Sequence, residues 1–173
     1  MSPLQQELYN ALKLVIGLFD QNQIKYWLGG GLFQLISQNR FKDIETNYKI
    51  HDIDLHIQNS QKTVAYEALK SCRGVRELNI YPSAHREIKI AFKIGDLSVE
   101  TPFLFESLDD ANVLFFISWG KKEDWPLSED DRQRFYYFSF PKEIFSEDTI
   151  EIDNLKIRVP KMEYVKLLYK YYD

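Results

Sequence analysis

The most constraining stretch of the chain is His51-Asp52-Ile53-Asp54-Leu55-His56-Ile57-Gln58, where apolar and polar residues alternate. A period of two is the signature of a strand, because successive side chains point to opposite faces of a sheet. Ile53, Leu55 and Ile57 then share an apolar face, and Asp52, Asp54, His56 and Gln58 share a polar one. Upstream, the short apolar run Tyr26-Trp27-Leu28 ends at Gly29-Gly30-Gly31 and is followed by Leu32 to Gln38, with Leu32, Leu35 and Ile36 on one helical face. This reads as a buried strand, a glycine turn and a short helix.

The remaining elements fit around this unit. Leu4, Leu8, Leu12, Ile16 and Phe19 recur at helical steps and predict an amphipathic helix over 4–22, opened by Ser2-Pro3. Residues 39–50 are polar and irregular and read as a loop. Ser60 is expected to cap a helix over 61–73 that Gly74 terminates. Strands are expected over 86–93, 97–105, 115–119 and 135–140, with a charged loop over 120–134. The segments 150–152 and 155–159 flank Asp153-Asn154 as a hairpin. Pro160 opens a last helix over 161–172, with Val165, Leu168 and Tyr169 expected inward. The expected fold class is therefore α+β, a mixed β-sheet with flanking helices, formed by one domain spanning 1–173.

Composition narrows the function. A 173-residue chain is long enough to bury a core of its own. A formal net charge of −4 argues against a dedicated nucleic-acid binder. A single cysteine, Cys72, excludes an internal disulfide and a cysteine-based zinc site. No basic segment followed by an apolar run opens the sequence, and no apolar stretch approaches about 20 residues, so a cytoplasmic location is expected.

Residues two apart on a strand face the same way, so Asp52 and Asp54 place two carboxylates side by side. Such a pair repels, and one member protonates unless a cation lies between them. Hard divalent cations take oxygen ligands and keep substrate phosphates in their shell. Asp52 and Asp54 are thus candidate ligands for Mg²⁺ or Mn²⁺, against the simpler reading of a solvated strand face. Glycines between a strand and a helix let backbone approach a phosphate at the helix N-terminus, so Gly29, Gly30 and Gly31 are candidate nucleotide-binding residues; the alternative is a turn that merely needs glycine. Glu100, in Leu97-Ser98-Val99-Glu100-Thr101-Pro102-Phe103, is the candidate third carboxylate, with Glu87 and Asp96 as weaker rivals. Arg86, Lys89 and Lys93 are candidates to line a phosphate cleft. His51, His56 and His85 are not expected to form a zinc site, since zinc needs a defined tetrahedral set. A glycine-rich strand–helix turn followed by an Asp-x-Asp strand is the core pattern of nucleotidyltransferase-fold enzymes.

The run Tyr26 to Phe33, then Phe41, then His51 to Leu55 resembles the LicD/fukutin family. So do Val99-Glu100-Thr101-Pro102-Phe103, the aromatic run Arg134 to Phe138 with Phe140-Pro141, and Val159-Pro160-Lys161 with the helix after it. The resemblance spans about residues 24–170. It implies transfer of a phospho-alcohol group, such as phosphocholine, from a CDP-linked donor to a glycan hydroxyl, with Asp52, Asp54 and Glu100 holding the metal. The chain departs from the family at Leu32, where the family has threonine, and at Ser37 and Gln38, where it has a basic residue that Arg40 would replace. Two alternatives remain: transfer of a nucleoside monophosphate from an NTP to a small molecule or protein, and a non-catalytic binding module of the same fold. Oligomeric state is not legible.

Overall fold

A computed structural model describes residues 1–44, 50, 52–79, 86–108, 110–118 and 135–169. The first helix, α1 (Pro3–Gln21), begins where Ser2-Pro3 predicts, and Ser2 and Gln5 close a reciprocal capping box. Strand β1 (Tyr26–Leu28) leads into α2 (Gly30–Ser37), which starts inside the glycine run rather than after it. A short 3₁₀ turn at Phe41–Asp43 occupies part of the expected loop. Strand β2 (Asp52–Gln58) is followed by a 3₁₀ turn at Asn59–Gln61 and by α3 (Lys62–Lys70). The turn displaces the expected cap: α3 has Gln61, not Ser60, at its N-cap, without a side-chain cap hydrogen bond.

The other strands are β3 (Val75–Glu77), β4 (Lys89–Ile94), β5 (Leu97–Glu106), β6 (Asn112–Ser118) and β7 (Phe135–Pro141). A hairpin follows, β8 (Thr149–Ile152) and β9 (Leu155–Arg158), and then α4 (Glu163–Tyr169). The three-residue β3 escapes sequence reading because Val75-Arg76-Glu77 is too short to alternate and is mostly exposed. Asp153 and Asn154 both take positive φ, 43° and 69°, as a two-residue hairpin turn requires. The loop expected over 120–134 and the residues His51 and His85 lie outside the described residues.

The main sheet runs β1-β2-β5-β4-β3, with β6 on β5 and β7 on β6. Among the described residues only β2 and β5 pair in parallel; the other ladders are antiparallel. Ile53, Leu55 and Ile57 are fully buried. Their face carries the helices: Tyr26, in register with Ile57, meets Phe19 of α1, and Phe92, in register with Val99 and so with Ile53, meets Tyr66 of α3. Among the described residues no helix is long and apolar enough to cross a membrane.

The opposite face of β2 departs from expectation. Sequence alternation makes it a polar face, but His56 is buried there at 1% exposure. Rings of Phe115, Phe145 and Tyr164 enclose it, with centroids 4.7, 5.9 and 5.5 Å away. The aromatic strands β6 and β7 and the C-terminal helix supply a cover that no local pattern in β2 announces. The face of α4 also shifts: Tyr164 is its buried residue, whereas Val165 and Leu168 are only half-buried. The side chain of Tyr169 lies outside the described set.

Candidate active site

The parallel register of β2 and β5 sets Asp54 directly beside Glu100, and Asp52 beside Ser98. Across β5, Glu100 faces Ala91 and Ser98 faces Lys93 of β4. The face therefore carries two rows, Asp54–Glu100–Ala91 and Asp52–Ser98–Lys93, with strands about 4.8 Å apart. Lys89 reaches diagonally to Glu100, its Nζ donating to Oε2 at 2.5 Å. Sequence reading places Asp52 and Asp54 on one face but names Glu100 and Lys89 separately; the sheet brings all four together on that face.

The glycine turn closes on the same place. The Gly29 N–H donates to the Asp54 carbonyl at 2.8 Å, extending the β1–β2 ladder by one step. Gly30 adopts φ +61°, and a Cβ there would stand 2.1 Å from Asp54 Oδ2. Only glycine lets the carboxylate come this close to the start of α2. Gly31 is different: a Cβ would touch nothing within 4 Å. The helix has no side-chain cap, so its first-turn N–H groups are left without a side-chain acceptor at the end nearest the carboxylate.

Arg40 is not brought to this site. It lies beyond the C-terminal end of α2, whereas the carboxylates lie at the other end, about 10 Å of helix away. There its Nε donates to Asp43 Oδ2 at 3.0 Å. Arg86 donates instead to Asn79 Oδ1. Asp96 sits in the β4–β5 turn and Glu87 is exposed before β4.

The electrostatics follow from the packing. Asp54 is half-buried, and burial raises its pKa to about 7, with Asp52 and Glu100 pushing the same way and Lys89 opposing. The repulsion expected from the Asp-x-Asp spacing is thus present, and Glu100 adds to it. His56 moves oppositely: burial lowers its pKa to about 3, so it is neutral. Its Nε2 lies 2.7 Å from Tyr164 Oη. Its Nδ1 has no hydrogen bond of full geometry, and the pull of the Pro102 carbonyl only partly offsets the shift. Neither Tyr164 nor the His56 cage is signalled by residue spacing near the Asp-x-Asp motif.

Among the described residues no three His, Cys, Asp or Glu side chains already stand together as a metal-holding group. The donor chemistry fits a hard cation nonetheless. Asp52 and Asp54 offer carboxylate oxygens on one face, and their mutual repulsion, which adds to burial in raising the pKa of Asp54, is what a divalent cation relieves. Glu100 is engaged by Lys89 through Oε2, which leaves Oε1 as its second carboxylate oxygen. A separate cavity of about 280 Å³ lies between α3 and the β3–β4 edge, lined by Tyr66, Glu77, Phe92 and Arg86 among others, and includes none of Asp52, Asp54 and Glu100.

Solved structures share this arrangement of elements. The lincosamide antibiotic adenylyltransferase LnuA, in its lincomycin-bound form, superposes with a TM-score of 0.53 at 17% identity, covering 97% of this chain and 87% of that one. The antibiotic-resistance factor ANT(2'')-Ia superposes with a TM-score of 0.55 at 15% identity, covering 98% of this chain and 71% of that one. The chain has the nucleotidyltransferase fold. The α+β mixed sheet with flanking helices read from the sequence is the one observed. No family model and no curated protein matches the sequence.

Proposed function

We propose that this protein is a metal-dependent nucleotidyltransferase that moves a nucleoside monophosphate from an NTP to a hydroxyl of a small molecule. The observation that carries this reading is the placement of Asp54. A half-buried carboxylate, crowded by Asp52 and Glu100, lies against the uncapped start of α2 at Gly30, where positive φ and the close approach of the carboxylate favour glycine. Such a site concentrates negative charge beside free backbone N–H donors, and a metal–triphosphate complex satisfies both at once. The fold of LnuA and ANT(2'')-Ia supports NTP as donor, ATP first, and a hydroxylated antibiotic-like molecule as acceptor. The CDP-linked donor implied by the LicD/fukutin resemblance uses the same carboxylates but draws no support from these comparisons.

In this reading Asp52 and Asp54 would hold Mg²⁺ or Mn²⁺, which would supply charge neutralisation at the phosphates. The N–H groups at Gly30 and Gly31 face the triphosphate. Lys89 leaves Glu100 for a phosphate oxygen, and Glu100 becomes free to take the proton of the acceptor hydroxyl. The hydroxyl oxygen bonds to the α-phosphorus, the bond to the bridging oxygen breaks, and pyrophosphate leaves. The whole chain, 1–173, acts as one catalytic domain.

The test is a thermal-shift panel with Mg²⁺ or Mn²⁺ and ATP, GTP, CTP, UTP, CDP-choline or CDP-ribitol, followed by transfer of label from α-³²P-ATP to lincomycin and other hydroxylated antibiotics. Ligand at about 100 times its Kd adds roughly 2.7 kcal/mol of stability, a readily measured shift. A metal-dependent shift with an NTP and a labelled product are expected. A shift with a CDP-alcohol alone restores the phospho-alcohol reading. No metal-dependent shift with any of them sinks the enzyme reading and leaves a binding module.

A further inference from the structure

The buried pair His56–Tyr164 takes no part in that chemistry, yet it touches the turn on which the chemistry depends. A Cβ on Gly29 would stand 2.6 Å from His56 Nε2 and 3.0 Å from Tyr164 Oη. Gly29 itself has φ −119° and ψ −162°, extended backbone open to any residue. Its requirement for glycine therefore comes from these two side chains and not from its own dihedral angles. The same residue donates its N–H to the Asp54 carbonyl, and the next, Gly30, abuts the Asp54 carboxylate. An unbroken line of contact runs from the C-terminal helix through His56 to the turn and to Asp54.

The helix holds the turn at a second point. Phe33, in the first turns of α2, packs edge-on against Tyr164 with centroids 5.9 Å apart, and Phe140 stacks on Tyr164 at 5.3 Å. Tyr164 is anchored by its own backbone, whose N–H donates to Lys161 O, while Lys161 N–H donates to Ile144 O. A wholly apolar pair would fill this volume without the desolvation cost of an imidazole and a phenol. A buried hydrogen bond instead fixes one orientation of both rings.

We propose that Tyr164 and His56 are positioning residues: the pair clamps the glycine turn from the C-terminal helix and so sets where Asp54 stands. For its catalytic consequence this inference rests on the nucleotidyl-transfer reading above; for its structural content it does not.

Amide hydrogen exchange by NMR on the full chain tests the clamp without any ligand. In Tyr164→Phe, the Gly29 and Phe33 amides, which donate to Asp54 O and Gly29 O, should exchange at least about 10-fold faster, while β4–β5 ladder amides stay within about 2-fold of the parent protein. Uniform acceleration of both sets, or no change in either, overturns the clamp. A second pair of variants guards against simple loss of packing. Gly29→Ala should lower the folding equilibrium constant sharply in the parent protein and about 10-fold less in a His56→Ala background, because the atom it meets is gone. Equal losses in both backgrounds overturn the proposal. Where the parent protein transfers nucleotide, Tyr164→Phe should lower kcat at least about 10-fold with KM for the nucleotide within about 3-fold. An unchanged kcat refutes the positioning role, whereas a parent protein without transfer activity refutes only the functional reading and leaves the exchange result to decide the clamp.

Discussion

Asp54 and His56 stand two residues apart on the same face of β2, and both are pushed by burial toward their neutral forms, Asp54 up to about 7 and His56 down to about 3. Their neighbours separate them. His56 lies among aromatic rings and shares a hydrogen bond with Tyr164, so its neutral state is a settled one. Asp54 lies beside two more carboxylates, Asp52 and Glu100, with Lys89 as the cation that opposes them. One position has been closed by the fold, and the other remains open to a cation. Strand burial alone predicts neither outcome; the groups that complete the environment decide it.

The strongest way to break this contrast is Asp54→Asn. It should abolish nucleotidyl transfer, with kcat/KM falling at least about 10³-fold, comparable to removing a principal electrostatic group. The metal-free protein should nonetheless remain folded, because the change relieves repulsion. Retained transfer by the folded variant sinks the assignment of Asp54. Next in size is Gly30→Ala. The left-handed backbone costs about 1–2 kcal/mol for alanine, and the collision with Asp54 Oδ2 adds to it, so a clear drop in denaturant midpoint is expected. Gly31→Ala is the control, near neutral or stabilising by up to about 1 kcal/mol, as for alanine in a helix.

Stability against pH sharpens the comparison further. The folded state holds the Asp54 proton more tightly than the unfolded chain does. Its stabilising contribution is therefore full below the ordinary carboxylate range near 3.8 and is lost as pH rises through about 7. In EDTA the loss should be roughly 2 kcal/mol, discounted for the contact Asp54 keeps with solvent. Chemical denaturation across pH 4–8 should show a slope that Asp54→Asn removes and that saturating Mg²⁺ flattens. The smallest effect belongs to Arg40→Ala. Its pair with Asp43 is substantially exposed, worth at most about 0.5 kcal/mol, and it lies at the far end of α2. Transfer rates within about 3-fold of the parent protein are expected; a loss of 10-fold or more would bring Arg40 back into the site.

How far the site was legible can be followed residue by residue. The alternation in 52–58 is a local property, so it gave the strand and the shared face of Asp52 and Asp54 directly. The glycine run announced a turn, but not which glycine is indispensable. Gly29 is constrained by His56 and Tyr164, Gly30 by its φ and by Asp54, and Gly31 by no contact within 4 Å. Glu100 was picked from its strand context, but its pairing with Asp54 depends on the parallel register of two strands separated by α3, β3 and β4. Arg40 enters only through the LicD/fukutin resemblance, as a substitute for the family's basic residue at Ser37 and Gln38; eight residues of helix separate it from the glycine turn.

The sequence by itself determined what periodicity can encode: an α+β chain, the order of its longer elements, the Asp-x-Asp strand and the glycine turn ahead of it. These follow from the dihedral limits of single residues and from which side chains shun water. Tertiary structure alone decided the environment of each side chain, because environment is made by residues remote in the chain. Strand β5 brought Glu100 to Asp54, β4 brought Lys89 to Glu100, and α4 brought Tyr164 to His56. Identical spacing along β2 thus yielded a position crowded by carboxylates at Asp54 and a sealed one at His56.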